Sequence, residues 1–356
     1  MRSFLHKILV IISLVFSTSL LIAYLAPLIS PEKFWPPAFF GLAYPYLLVI
    51  NITFVIYWIL RRRLSFLLPL IAIIIGYSHL GRFINLGSKQ DSPPKKAGIS
   101  LISYNIRYFD KYKWTKDPKT PNNIISLIED TKSGIVCLQE FRRTSTGTLS
   151  TTNLRKKFRT PYFHIDPKSG NIATFSRYPI VKRGQIPFTK EHLCTCIYSD
   201  IKVGPDTLRI FNIHLESNRF VHHNYKFITQ KNPNANDENL EEIKDISTRL
   251  RYGFIRRAQQ VDIISKYIKD SPYPTILCGD FNDTPSSYTY HKMSQELIDA
   301  FQTRGRGIGT TYNGAFPSFR IDYILYHPSI ICAQYKRIKK KYSDHYPIYG
   351  KFAIAK

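Results

Sequence analysis

The chain has 356 residues, with 50 Lys+Arg against 25 Asp+Glu and a formal net charge of +25. An apolar fraction of 44% and an aromatic fraction of 14% exclude a disordered polyelectrolyte, and the length leaves room for one large domain or two ordinary ones. The mean hydropathy of −0.18 averages two unlike regions: residues 1–96 hold 10 basic and 2 acidic residues, and residues 97–356 hold 40 basic and 23 acidic ones, a net +17.

Three stretches near the N-terminus carry no charge: Ile8 to Pro31, Phe34 to Leu60 and Leu64 to Gly81. A helix needs about 20 apolar residues to cross a bilayer, and about 17 at the least. The pattern predicts three transmembrane helices, over about residues 8–29, 36–60 and 64–81 of a membrane region at 1–86. A cleaved signal peptide accounts for the first stretch alone. Arg2 and Lys7 precede the first span, and Arg61, Arg62 and Arg63 separate the second from the third. Both clusters then lie in the cytoplasm, and three crossings put the rest of the chain outside it. Arg82, Lys89, Lys95 and Lys96, which follow the third span, speak against that orientation. Trp35 and Trp58 sit near span ends, where interfacial aromatics belong. Residues 87–98, with Ser92-Pro-Pro94 and Lys95-Lys96, read as a linker.

From Ile99 onward the chain alternates apolar runs with polar turns. Ile99 to Arg107, Gly134 to Glu140, Asn171 to Pro179, Leu208 to Leu215, Thr275 to Asn282, Arg320 to Leu325 and Ile348 to Ile354 read as strands. Asn122 to Glu129 and Asp237 to Lys269 read as helices, the second interrupted near Gly253. Five cysteines, an odd number, imply no disulfide framework. Cys137 and Cys278 fall in apolar runs and are expected in the core. Cys194 and Cys196 share one strand face, and without further His or Cys partners they are expected to pack rather than bind metal.

A polar or ionisable residue recurs where an apolar strand ends: Asn105, Glu140, His214, Asp280 with Asn282, and Asp344 with His345. Each alone is unremarkable, because Asn and Asp are ordinary turn residues. Strand tips along one edge of a sheet sandwich bring such residues together. Three basic clusters accompany them. Arg155-Lys156-Lys157 reads as a solvated face, and Arg256-Arg257 as partners for acids on the long helix. Lys336 to Lys341, interleaved with Tyr335, Tyr342 and Tyr346, is expected to reach substrate phosphate.

The segments Ser103-Tyr-Asn-Ile-Arg107, Leu138-Gln-Glu140, Asn212-Ile-His-Leu215, Gly279-Asp-Phe-Asn282, Arg320-Ile-Asp-Tyr-Ile324 and Ser343-Asp-His345 together resemble the endonuclease/exonuclease/phosphatase superfamily. They occur in that family's order over residues 99–356. The resemblance implies a DNase I-like four-layer α/β sandwich, here preceded by the three-helix anchor. It also implies a hydrolase of phosphate esters that uses Mg²⁺, with Mn²⁺ as a substitute, in a bacterial inner or cell membrane.

The chemistry asks for these residue types, since hard oxygen donors suit Mg²⁺ and the ion offsets phosphate charge. By the resemblance, Glu140 is the main metal ligand, Asn105 assists it, and Asp344 binds or orients metal or water. Asp280 orients or deprotonates the attacking water, and Asn282 positions that water or the phosphate. His214 donates to a phosphate oxygen. His345, held by Asp322, is a general base or a phosphate stabiliser. Arg107, Asn212 and Tyr342 are the expected substrate contacts. Nuclease activity is favoured slightly by the +17 charge. A lipid or inositol-phosphate esterase is the alternative, favoured by the anchor, and a silent binding module is the third reading. No obligate protein partner is implied.

Overall fold

The computed structural model describes residues 2–87, 98–188, 195–229, 237–314 and 319–354. The expected linker, apart from its end residues, and Cys194 lie outside the described residues.

The N-terminal region is a helical hairpin with a short third arm. Helix α1 (Arg2–Ala23) stops ahead of Pro27, and α2 (Pro36–Leu60) starts on two prolines that need no helical partner for their nitrogens. Segments Phe4–Ala23 and Pro36–Leu60 are long and apolar enough to cross a membrane. The third expected span is not continuous. A turn at Leu64–Phe66 leads into α3 (Leu67–Ile75), and Gly76 separates it from α4 (Tyr77–Leu80). At about 1.5 Å per residue, α3 rises roughly 14 Å, less than half of a bilayer core. Gly76 caps α3 at φ −95° and ψ 15°, and it also lets the Tyr24 ring pack close, since a Cβ there would lie 1.9 Å from that ring. Inside the hairpin, buried Asn51 accepts from Ser17 Oγ (2.9 Å) and donates to Phe16 O (3.1 Å) and Leu47 O (2.8 Å), so its polar atoms are satisfied away from water.

The remainder is built on two six-stranded sheets. The first runs in the order β13 (Ile330–Arg337), β14 (Ile348–Ile354), β2 (Ile99–Asn105), β3 (Ile135–Gln139), β5 (Ile172–Ser176), β4 (Tyr162–Ile165). The second runs β10 (Ile298–Asp299), β12 (Asp322–Tyr326), β9 (Thr275–Asp280), β8 (Asp206–His214), β7 (Thr195–Val203), β6 (Ile180–Gln185). Each sheet is mixed, with β2–β3 and β8–β9 parallel.

The apolar runs are continuous because the strands are buried on both faces. Leu101, Ile135, Cys137, Ile210, Ile276 and Ile324 meet between the sheets. Their sequence neighbours point outward: Ile102, Val136 and Leu138 pack on helices Thr120–Asp130 and Thr151–Phe158. Phe211, Leu277 and Leu325 pack on helix Asp237–Lys269. The order of layers is therefore helices, sheet, sheet, helices. Cys137, Cys196 and Cys278 are all buried core residues, and burial pushes the Cys196 thiol well up from its ordinary value.

Helix Asp237–Lys269 is unbroken for 33 residues, contrary to the expected interruption at Gly253. A Cβ there would lie 2.6 Å from Asn218 Oδ1 and 2.8 Å from Arg257 Nη1, so this glycine serves close approach and not a helix break.

The hairpin is fastened to the sandwich. Strand β1 (Ile84–Asn85) pairs with β11 (Gly307–Ile308). Asn85 Nδ2 donates to Phe301 O and Gln302 O at 2.8 and 2.7 Å, and Arg320 Nη2 to Arg82 O at 2.9 Å. Trp35 lies under Arg251, 5.0 Å from guanidinium carbon to ring centre.

Candidate active site

Strand register assembles the site. On parallel strands β8 and β9, His214 stands beside Asp280; on antiparallel β9 and β12, Asp280 stands beside Asp322. In the facing sheet, Asn105 pairs in register with Gln139, and Glu140 follows it at φ 47°. The β8–β9 approach is close at the site: Gly279 has φ +140°, and a Cβ there would lie 2.0 Å from Ile213 O. A side chain at 279 would push the two strands apart just behind Asp280.

The chain beyond Asn105 turns left-handed over Arg107, Tyr108, Phe109 and Asp110, with φ between 47° and 58°. Such geometry costs about 1–2 kcal/mol per residue. Tyr108 N donates to Glu140 O at 2.7 Å, Arg107 N to Asn105 Oδ1 at 3.1 Å, and Trp114 N to Asp110 Oδ1 at 2.7 Å. These bonds hold the turn and tie the β2 tip to the β3 tip.

Asn105 Nδ2 bridges the two sheets, donating to Glu140 Oε1 (3.2 Å) and Asp280 Oδ2 (3.0 Å). The same two oxygens lie 3.9 and 3.7 Å from His214 Nε2. Asp280 is buried, and its other oxygen accepts from Asn282 N at 2.8 Å. Burial is the main cause that raises the Asp280 pKa above the ordinary value, and Asp322 adds to it; His345 and His214 pull the other way. His345 Nδ1 faces Asp322 Oδ2 at 2.9 Å, and its Nε2 is 3.7 Å from Asp280 Oδ2. Burial works against a charged His345, but the carboxylates of Asp322 and Asp280 outweigh it and hold the imidazole well above its usual range. Asp280, Asp322 and His345 each offer a ligand atom within 4.8 Å of the others.

One cleft gathers Arg107, Glu140, His214, Asp280, Asn282, Asp344 and His345. Arg107 Nη1 is ion-paired with Asp344 Oδ2, so that carboxylate is engaged by a cation. Asn105 turns its amide nitrogen, not its oxygen, toward Glu140. Two expected substrate contacts lie elsewhere. Asn212 is buried between the sheets, accepting from Gln139 Nε2 (2.6 Å) and donating to Ala173 O (2.9 Å). Tyr342 packs against the apolar layer around Tyr104 and Phe109. Neither lines the cleft.

The basic run Lys336–Lys341 does not line it either. Arg257 does, but as a fully buried residue paired with Asp283 at 3.1 Å and not with acids of its own helix. Three further parts of the cleft carry no motif. Tyr312 stacks edge-on against His345 with centres 5.3 Å apart. Phe254 and Leu42 line the side facing the hairpin. Leu42 is more than 60 residues from every site candidate in sequence, and only proximity in space finds it.

The donor set suits a hard divalent cation. Glu140 is partly open to the cleft, with His214 Nε2 3.9 Å and Asn105 Nδ2 3.2 Å from its Oε1, and the carboxylates of Asp280 and Asp322 lie close to each other and to His345.

Comparison with known proteins bears on the fold and the family. Residues 6–83 match a domain of unknown function (DUF8431). No curated protein matches the chain. Among solved structures, humanized D. rerio TDP2 is 17% identical, with 72% of this chain and 100% of that one covered and a TM-score of 0.52. An endonuclease/exonuclease/phosphatase family protein from Bacteroides thetaiotaomicron is 15% identical over 71% and 97%, at TM-score 0.52. The human Nocturnin catalytic domain with bound sulfate is 17% identical over 74% and 94%, at 0.50. At these identities the likeness is one of fold. Residues 102–345, more than half of the chain, match the Endonuclease/Exonuclease/phosphatase family, and the chain belongs to that family.

Proposed function

We propose that the protein is a membrane-anchored, divalent-metal-dependent hydrolase of phosphate esters, with a water molecule as nucleophile. The observation that carries this reading is the convergence of Glu140, His214, Asp280 and the His345–Asp322 pair in one cleft. Glu140 would hold Mg²⁺ or Mn²⁺, with Asp344 the next oxygen donor if Arg107 turns from it to a substrate phosphate. The bound ion would withdraw charge from the phosphate oxygens.

The rest is the work of this chain's own residues. Asp280, with its raised pKa, is the base for the attacking water. Asn282 N and Asn105 Nδ2 fix the orientation of that carboxylate. His345, charged between two carboxylates, is better suited to donate to a phosphate oxygen than to accept a proton. His214 donates from the other side of Asp280. Asp322 keeps His345 oriented and charged.

The anchor reading rests on exposure. Ile11, Val15, Val49 and Ile56 of α1 and α2 are exposed apolar side chains, away from the Phe39–Leu42 end where α2 meets the sandwich. Core helices of a water-soluble protein bury such faces. Arg2 and Lys7 at the start of α1 and Arg61–Arg63 after α2 share one end of the hairpin, the cytoplasmic end by the positive-inside rule, and a sandwich outside the cytoplasm requires the broken arm Leu64–Leu80 to carry the chain back across. The +17 charge that favours a nuclease sits largely away from the cleft, since Lys336–Lys341 do not line it.

The test is hydrolysis of a panel of plasmid DNA, RNA, nucleotides and phospholipids by the full chain with Mg²⁺ or Mn²⁺, and its loss in EDTA. Glu140→Gln and His345→Ala are each expected to lose at least about a hundredfold. Turnover like that of the wild type in both variants would sink the assignment.

A further inference from the structure

The cleft has two unlike walls. One is the catalytic wall of Glu140, His214, Asp280 and His345. The other is apolar, with Leu42, Leu250, Phe254 and Phe319. Leu42 does not belong to the sandwich at all: it lies in the second turn of α2. The helix is seated there firmly. Phe39 stacks edge-on to Phe254, with centres 5.3 Å apart. A Cβ at Gly41 would lie 2.8 Å from Ser286 O and 2.6 Å from Ala26 Cβ, so only glycine lets α2 touch the loop that follows Asn282.

From Leu42 the same helix face continues away from the cleft. Tyr46, Val49, Thr53 and Ile56 follow at helical spacings of four, three, four and three residues, and all four are exposed. Leu42 thus belongs both to the lining of the cleft and to the outward face of a helix long and apolar enough to cross a membrane. A nucleic acid has no use for such a track. An acyl or isoprenyl chain has, because each buried methylene contributes about 0.8 kcal/mol of transfer energy elsewhere in proteins and membranes.

We infer that the substrate is a bilayer lipid bearing a phosphate ester. Its headgroup reaches the catalytic wall, while its chain lies along Leu42 and the Tyr46–Ile56 face of α2. This inference rests on the phosphoesterase reading and names its substrate class. Leu42 acts as a specificity residue that touches the lipid chain next to the headgroup.

The experiment uses full-length protein in nanodiscs and substrate pairs that share a headgroup: phosphatidylglycerol with glycerophosphoglycerol, phosphatidylethanolamine with glycerophosphoethanolamine, and phosphatidic acid with glycerol phosphate. The readout is the ratio of kcat/KM for the lipid to kcat/KM for its water-soluble partner. Because both are measured on one preparation, the ratio does not depend on the folded fraction. The wild type is expected to prefer the lipid by at least about a hundredfold, the scale of a few methylenes against an apolar wall. Leu42→Glu is expected to lower that ratio about tenfold or more, and Leu42→Met to keep it. Equal use of both pair members, an unchanged ratio in Leu42→Glu, or preferential cleavage of DNA or RNA overturns the lipid inference and leaves the phosphoesterase reading standing. Absence of metal-dependent turnover on every substrate overturns the phosphoesterase reading itself.

Discussion

Arg257→Leu removes the charged floor of the cleft and leaves its aliphatic volume. Arg257 is fully buried on helix Asp237–Lys269. Its Nε donates to Asp283 Oδ2 at 3.1 Å, and its Nη1 to Glu216 O at 2.8 Å and Asn218 Oδ1 at 3.0 Å. Deleting one member of a buried ion pair costs about 3–5 kcal/mol, since the other charge stays behind without its partner. Asp283 keeps bonds from Thr289 Oγ1 (2.8 Å) and Thr284 N (3.0 Å), which argues for the lower part of that range. For a domain of this size each kcal/mol moves the thermal midpoint by about 2–4 °C, so a loss of about 3–4 kcal/mol lowers it by roughly 6–16 °C. Thermal and urea unfolding of the full chain in detergent measure it. Adding Asp283→Asn removes the stranded charge and should recover part of the loss, with a coupling energy of at least about 1 kcal/mol in the double-mutant cycle. If Arg257→Leu stays within about 0.5 kcal/mol of wild type, the range of an ordinary surface change, the pair is not the support described.

Three other outcomes are expected. Asp322→Asn takes away a carboxylate that raises both the His345 and the Asp280 pKa. With the proposed roles, His345 acts protonated and Asp280 ionised, so the alkaline limb of the pH–rate profile and the acid limb should both move to lower pH. A profile that drops without moving would contradict the roles assigned. Gly279→Ala must fit a Cβ 2.0 Å from Ile213 O at φ +140°; separation of β8 from β9 should cost at least about 3 kcal/mol and appear as reduced soluble yield and midpoint. Asn212→Leu breaks the inter-sheet bond to Gln139 without touching the cleft. It should destabilise by about 1–3 kcal/mol in urea unfolding while KM stays near wild type, and a rise in KM at unchanged stability would make Asn212 a substrate contact after all.

The sandwich was legible because its strands are buried on both faces and therefore read as short apolar runs, such as Ile135–Leu138 and Thr275–Cys278. The catalytic candidates were legible because each ends such a run, and strand register sets Asp280 beside both His214 and Asp322. Less legible were residues whose motif position and job differ. Asn212 lies within a catalytic segment and on the same face of β8 as His214, but one pleat deeper, where it bonds Gln139 of the facing sheet instead of reaching the cleft. Gly253 looks like a helix break and instead makes room for Asn218 and Arg257. The third expected span is divided, since apolar length says nothing of where the helix caps, here at Gly76 between α3 and α4. Leu42 had no local signature, because its meaning arises only from the docking of α2 beside Phe254.

The pairing of β1 with β11 comes before residues 88–97 in the chain. Whatever slack that segment has, the sandwich is already clamped to the helical hairpin through Ile84 and Asn85. On the anchored, lipid-directed reading proposed above, the sandwich would work at a set height above the bilayer and search for substrate by lateral diffusion in two dimensions. Velocity should then follow the mole fraction of substrate in the surrounding lipid. Diluting the bilayer with inert lipid should slow turnover, and diluting the whole suspension with buffer should not.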